Sequence, residues 1–182
     1  LGIVWAWLTC LSANAEVKLP AFFSDGMVMQ QQTRANLWGT ATPDAPVKIT
    51  TSWDKQTYKT PADAKGAWKL ALSTPSAGGP YTITFDDGKL TEIRDILMGE
   101  LWLCSGQSNM EMPMKGFKNQ PVENSNTDVM NSRNPQLRLF TVKRSSSFTL
   151  KTDVVGTWQE AVPATVREFS ATAYYFARMI QQ

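Results

Sequence analysis

Between residues 46 and 85 the chain alternates apolar and polar side chains with a period of two. "PVKITTSW" sets Val47 and Ile49 against Lys48 and Thr50, "AWKLAL" sets Trp68, Leu70 and Leu72 against Lys69 and Ala71, and "YTITF" sets Tyr81, Ile83 and Phe85 against Thr82 and Thr84. That period predicts half-buried antiparallel strands, with one face on a core and one in water. Turn chemistry interrupts the alternation at "SWDK", "DAKG", "AGGP" and "DDGK". Residues 16–95 are therefore expected to form an all-β N-terminal domain, a small β-sandwich.

From residue 96 the pattern changes. "ILMGELWLC" is almost continuously apolar and does not alternate, as expected of a strand buried on both faces in a parallel sheet. "QLRLFTV" (136–142) predicts a second strand, with room between the two for a right-handed β-α-β crossover. "TVREFSATAYYFARMI" places Phe169, Ala173, Phe176 and Ile180 at spacings of four, three and four, one apolar face of a helix, with Thr165 and Glu168 at capping-box spacing. Two parallel strands and a helix or two do not close an α/β domain. Residues 96–182 thus read as the first part of an α/β domain that is incomplete in this chain.

The opening run "LGIVWAWLTCLSANA" (1–15) is apolar and ends in small-x-small, the pattern of a signal peptide cleaved before Glu16 and truncated at its own N-terminus. It is too short to span a bilayer, so no membrane partner is expected, and the protein is expected to be exported, to the periplasm or beyond. Without the leader, Cys104 stands alone, excluding an intrachain disulfide, and its apolar context predicts a buried core residue. There is no histidine, no cysteine pair and no tight carboxylate cluster, so no metal site is expected. A net charge of +2 with scattered basic residues gives no phosphate track, which argues against nucleic acid as a partner. The seven tryptophans are expected to serve β packing more than sugar stacking. The same applies to Trp53 and Tyr58, which flank one hairpin.

Chemistry concentrates in "GELWLCSGQSNMEMPM" (99–114). An α/β sheet presents its active groups beyond the carboxyl ends of its strands, and here the apolar run ends in a polar turn. A serine in such a turn projects its hydroxyl from the sheet edge, and its own N–H is able to help hold an oxyanion. Gly106 permits a sharp turn, and Gln107, Ser108 and Asn109 are polar groups able to line a pocket. Ser105, nearer the strand, is expected to be buried and hydrogen-bonded, which leaves Ser108 as the better nucleophile. Trp102 and Met112 are expected in the core, and Glu111 as a carboxylate complementing a helix N-terminus.

This block resembles the nucleophile block of the sialate O-acetylesterases, a branch of the SGNH (GDSL-like) hydrolases. "LPAFFSDGMVMQQ" resembles the start of that family's N-terminal β-domain, "AGGPYTITF" its late strands, and "FSATAYYFARMI" the helix after the first block. The resemblance runs through residues 17–180 in the family's order. It implies that the second part starts an SGNH-hydrolase-like (flavodoxin-like) domain. It also implies that Ser108 is the catalytic nucleophile, with its own amide as an oxyanion donor. Gln107 stands where the wider superfamily often has Asp, and Asn109, Met110 and Glu111 match the signature that continues past the serine. The family's base, a histidine held by a carboxylate in an Asp-x-x-His block, lies towards its C-terminus, and these residues contain no counterpart.

The resemblance therefore implies a carbohydrate O-acetylesterase that removes acetyl groups from O-acetylated sialic acid through an acyl-enzyme, with no cofactor. The chain alone should be inactive, because a serine without a base is a poor nucleophile. Two alternatives remain: an esterase for acetylxylan or another acetylated glycan, and a non-catalytic carbohydrate-binding or truncated product.

Overall fold

The computed structural model describes residues 16–181; the leader-like run 1–15 lies outside the described residues. Seven strands come first: β1 (Val28–Gln30), β2 (Arg34–Thr40), β3 (Pro46–Thr51), β4 (Thr57–Pro61), β5 (Ala67–Ser73), β6 (Gly78–Asp86) and β7 (Leu90–Gly99). They make a five-stranded sheet in the order β1-β7-β6-β3-β4 and a two-stranded sheet β2-β5. The expected alternation is present. Val47, Ile49, Leu72, Ile83 and Phe85 are fully buried, while Lys48, Thr50 and Lys69 face water. Leu37, Trp68 and Leu72 of the smaller sheet share one core with Val47, Ile49, Ile83, Phe85 and Ile96 of the larger. The result is a mostly β arrangement whose sheet curls in half-barrel fashion around that core. Three of the four expected turns fall between strands. "AGGP" does not: Gly78, Gly79 and Pro80 belong to β6, at a register shift against β7.

The run "ILMGELWLC" divides in two. Its first half ends β7, which pairs antiparallel with β6 and parallel with β1, Met29 opposite Met98. An interior strand with a neighbour on each side explains why Ile96 and Met98 are buried. They are buried in the first sheet, not in a new one. β7 thus continues four residues past the boundary expected after residue 95.

The rest of the chain forms α1 (Ser108–Glu111), α2 (Ser125–Met130), β8 (Asn134–Phe140), β9 (Trp158–Ala161), α3 (Pro163–Val166) and α4 (Ala171–Ile180). β8 pairs antiparallel with β9, Phe140 opposite Trp158, so the expected β-α-β crossover is absent among the described residues. The single helix expected over 165–180 is two helices. Thr165 accepts the N–H of Val162 at 3.1 Å and so caps α3, while Ser170 Oγ accepts the N–H of Ala173 at 3.3 Å and starts α4. Ala171, Ala173 and Tyr174 are the buried positions of α4; Phe176 and Ile180, expected on the apolar face, are exposed. A second, smaller core joins Met114, Leu139, Ala161, Val166 and Tyr174.

Two contacts seat the β8–β9 ribbon on the first sheet. Phe22, Phe140 and Trp158 pack together with ring centroids 5.1–5.7 Å apart, and the indole of Trp158 donates to Phe22 O at 2.8 Å. Beside them Arg138, 7% exposed, forks onto both oxygens of Asp95 at 2.5 and 3.1 Å. A buried guanidinium that loses its partner is costly. Asp95 has a positive φ of 56°, a conformation asparagine also tolerates. Asp95→Asn should therefore keep the backbone and lower stability by about 1–3 kcal/mol, read as a shift in the urea midpoint. Adding Arg138→Met should recover part of that loss.

α2 and α4 are tied by Asp128, which accepts from Arg178 at 2.5 Å and from the Tyr175 hydroxyl at 2.7 Å. The Arg178 hydrogen bond, then that of Tyr175, holds the Asp128 carboxyl below the usual carboxylate range. Burial, with the bond to Asp128, pushes Tyr175 up to about 12. Because the Asp128 carboxyl is lower in the folded chain, its contribution is complete above the ordinary carboxylate pKa and is lost as pH falls through the folded value. Tyrosine fluorescence should report loosening of α4 below about pH 4, and Asp128→Asn should abolish that dependence.

Candidate active site

The polar turn is built from both ends. On its N-terminal side, β7 delivers Glu100 to two glutamines of the β1 end: Gln30 Nε2 and Gln31 Nε2 each donate to its carboxylate at 2.9 Å. Those bonds, that from Gln30 first, hold the Glu100 carboxyl below its usual range. Gln30 Oε1 also accepts the N–H of Leu101 at 2.9 Å, and Leu101 reaches the apolar cleft lined by Phe22, Phe23, Met27 and Trp38. The chain leaves the sheet in a direction set by these contacts. Nothing in the sequence pattern marked Glu100 or the glutamines for this task; the register of β1 on β7, Gln30 opposite Gly99, brings them together.

On the C-terminal side, residues 109–115 run antiparallel along 167–172. Thr172 Oγ1 donates to Asn109 O at 3.1 Å, Ala171 N to Met112 O at 2.8 Å, Met114 N to Phe169 O at 2.9 Å and Lys115 N to Arg167 O at 3.0 Å. Lys115 Nζ also pairs with Glu168. Met114 is fully buried and pins the segment to the second core.

Between these two fixed ends Ser108 opens α1, a single turn of four residues, with its side chain exposed. Gly106, Gln107 and Asn109 flank it and are exposed as well. Gln107 O accepts the N–H of Met110 at 2.9 Å, which closes the turn. Gly106 has no left-handed φ; what requires glycine is space, because a Cβ there would lie 3.2 Å from the Cβ of Met110.

Several neighbours differ from expectation. Ser105 and Cys104 are exposed, as are Trp102 at 55% and Leu103 at 92%. Residues 101–104 join no sheet among the described residues, so their apolar side chains have no strand to pack on. Leu101 turns to the apolar cleft described above, and Trp102 stands edge-on to Phe176 at 5.1 Å. Met112 is half-buried. Glu111 ends its one-turn helix instead of opening a long one, and its carboxylate pairs with Arg144. Trp53 packs edge-on against Tyr81 at 5.9 Å, and the Tyr58 hydroxyl donates to Asp54 at 2.7 Å, so both are engaged in packing and local bonding.

With this geometry in place, the comparisons with known proteins become informative. No family model matches the chain. It is 31% identical over 140 residues to the sialate O-acetylesterase of Homo sapiens, covering 71% of this chain and 26% of that protein. With the sialate O-acetylesterase of Mus musculus it shares 29% identity over 153 residues, 78% of this chain and 28% of the other. A crystal structure of a carbohydrate acetylesterase from Xanthomonas citri superposes with a TM-score of 0.84 at 33% identity, over 91% of this chain and 37% of that one. A carbohydrate-esterase-type fold is thus the class these observations define. The chain belongs to the sialate O-acetylesterase family. It spans about a quarter of the length of the relatives it matches.

The exposure of Cys104 has a direct readout. In the native 182-residue chain a thiol reagent such as Ellman's should label Cys104 without denaturant, and Cys104→Ala should lower the number of labelled thiols by one. Protection in the native state would mean that residues 101–104 are covered.

Proposed function

We propose that this chain is the front part of a carbohydrate O-acetylesterase of the serine type, with O-acetylated sialic acid as its substrate. The observation that carries the reading is Ser108: an exposed hydroxyl on a one-turn helix held on one side by the Glu100 clamp and on the other by residues 167–172. A nucleophile has to be open to substrate and fixed in direction, and this serine is both.

In this reading the Ser108 oxygen attacks the acetyl carbonyl and its proton passes to a histidine supplied from outside these 182 residues. The tetrahedral oxyanion rests on the Ser108 amide, with Gly106, Gln107 and Asn109 lining the pocket. The carbonyl re-forms, and the sugar oxygen leaves with the proton from the histidine. A water molecule, deprotonated by the same histidine, then releases acetate from the acetyl-enzyme.

The residues that follow β7 begin an SGNH-type α/β layer in this account. The apolar segment 101–104 and the exposed Phe176, Met179 and Ile180 of α4 are surfaces for the remainder of that layer. The leader-like run 1–15 supports a location outside the cytoplasm in this reading, in the periplasm or beyond.

In a protein that includes the histidine, Ser108→Ala should lower kcat for acetyl-ester hydrolysis on the order of 10⁴- to 10⁶-fold with an unchanged melting temperature. The 182-residue chain alone should not exceed buffer. A Ser108→Ala protein that keeps its activity would refute the assignment.

A further inference from the structure

Ser108 and Glu111 bound the same helical turn. Side chains three residues apart in a helix lie on one side of it, with Cβ atoms about 5–6 Å apart. Whatever Glu111 holds is therefore beside the nucleophile. It holds Arg144: the Nη2 of the guanidinium donates to Glu111 Oε1. We propose that Arg144 is a specificity-determining residue of the Ser108 site, one that takes the carboxylate of an acetylated sugar acid. This rests on the esterase reading above and adds to it the residue that reads the carboxylate of the substrate.

Arg144 reaches this place on a fastened strap. Lys143 N donates to Val155 O at 2.7 Å and closes the base of the segment. Asp153 Oδ1 accepts the N–H of Ala21 at 2.8 Å, and Thr152 O accepts the indole N–H of Trp38 at 3.2 Å, so the returning limb is tied to the first sheet. The other limb is tied to the turn at Glu111.

A guanidinium carries five N–H donors. Glu111 takes one of those of Arg144, and the side chain is 80% exposed. Four donors remain towards solvent in the fork geometry that matches a carboxylate. Alone, Glu111 would set a negative charge beside Ser108 and repel an anionic sugar. The ion pair cancels that charge and leaves the hydrogen-bonding capacity. The other cation that the sequence places near the turn, Lys115, is occupied by Glu168. An exposed ion pair contributes little to stability, so replacing Arg144 probes recognition without unfolding the protein.

The test uses the full-length protein and compares kcat/KM for O-acetylated N-acetylneuraminic acid with that for O-acetylated xylobiose. Arg144→Gln should lower the ratio of acid to neutral substrate about tenfold or more, mainly through KM. Arg144→Lys, which keeps the charge but not the fork, should restore part of it. A ratio that does not move, with both substrates falling together, would make Arg144 a structural latch and overturn the proposal. An enzyme that hydrolyses the neutral ester and not the acid would also overturn it while leaving the esterase reading intact. That reading fails separately, if Ser108→Ala retains activity on both.

Discussion

A guanidinium withdrawn from water must be matched, and Arg138 is matched by a single carboxylate from the other part of the molecule. Its fork on Asp95, beside the Phe22–Phe140–Trp158 cluster, joins the β8–β9 ribbon to the curled sheet. The remaining geometry hangs on that joint. β9 leads through α3 to residues 167–172, which carry α1 and the extended residues 112–115 that follow it, and so hold Ser108. From the other direction β7 carries Asp95 and then Glu100, the residue that aims the chain into the turn. Ser108 is thus spanned between two supports that meet at one half-buried ion pair.

The first sheet was legible because burial there follows period two. Val47, Ile49, Ile83 and Phe85 read as inward and are inward. Ser108 was singled out by its motif, and its side chain is exposed at the start of α1. What failed has a common cause: an apolar run reports burial but not the partner that supplies it. "ILM" is buried by β1 and β6, neighbours that its own sequence does not name, and "LWLC" has no neighbour among the described residues. Phe176 and Ile180 read as an inner face for the same reason, yet the short α4 turns Ala173 and Tyr174 inward instead. The break at Ser170 was hidden by a helix-compatible composition, although serine is a strong N-cap. Contacts between distant polar groups, Glu100 with Gln30 and Gln31 or Glu111 with Arg144, leave no periodic signature at all.

Charged and apolar surfaces are divided unevenly around the turn. Glu111 and Arg144 meet on the side of α1, whereas Trp102, Leu103, Phe176 and Met179 present a contiguous kind of chemistry suited to protein contact. Exposed aromatic and aliphatic groups of that size are characteristic of surfaces that pack against more polypeptide. The polar side suits small hydrophilic ligands.

The position of Trp158 carries a consequence for how the chain is made. It is the last residue in sequence to enter the core of the first sheet, whose strands end at Gly99. On a ribosome adding 5–20 residues each second, the interval from that glycine to this tryptophan is on the order of 3–12 s. Throughout it Phe22 lacks its indole partner and the growing sheet stays unsealed on one flank. The first half to be synthesised is thus finished only by a residue from the second, and protection by chaperones matters most in that interval.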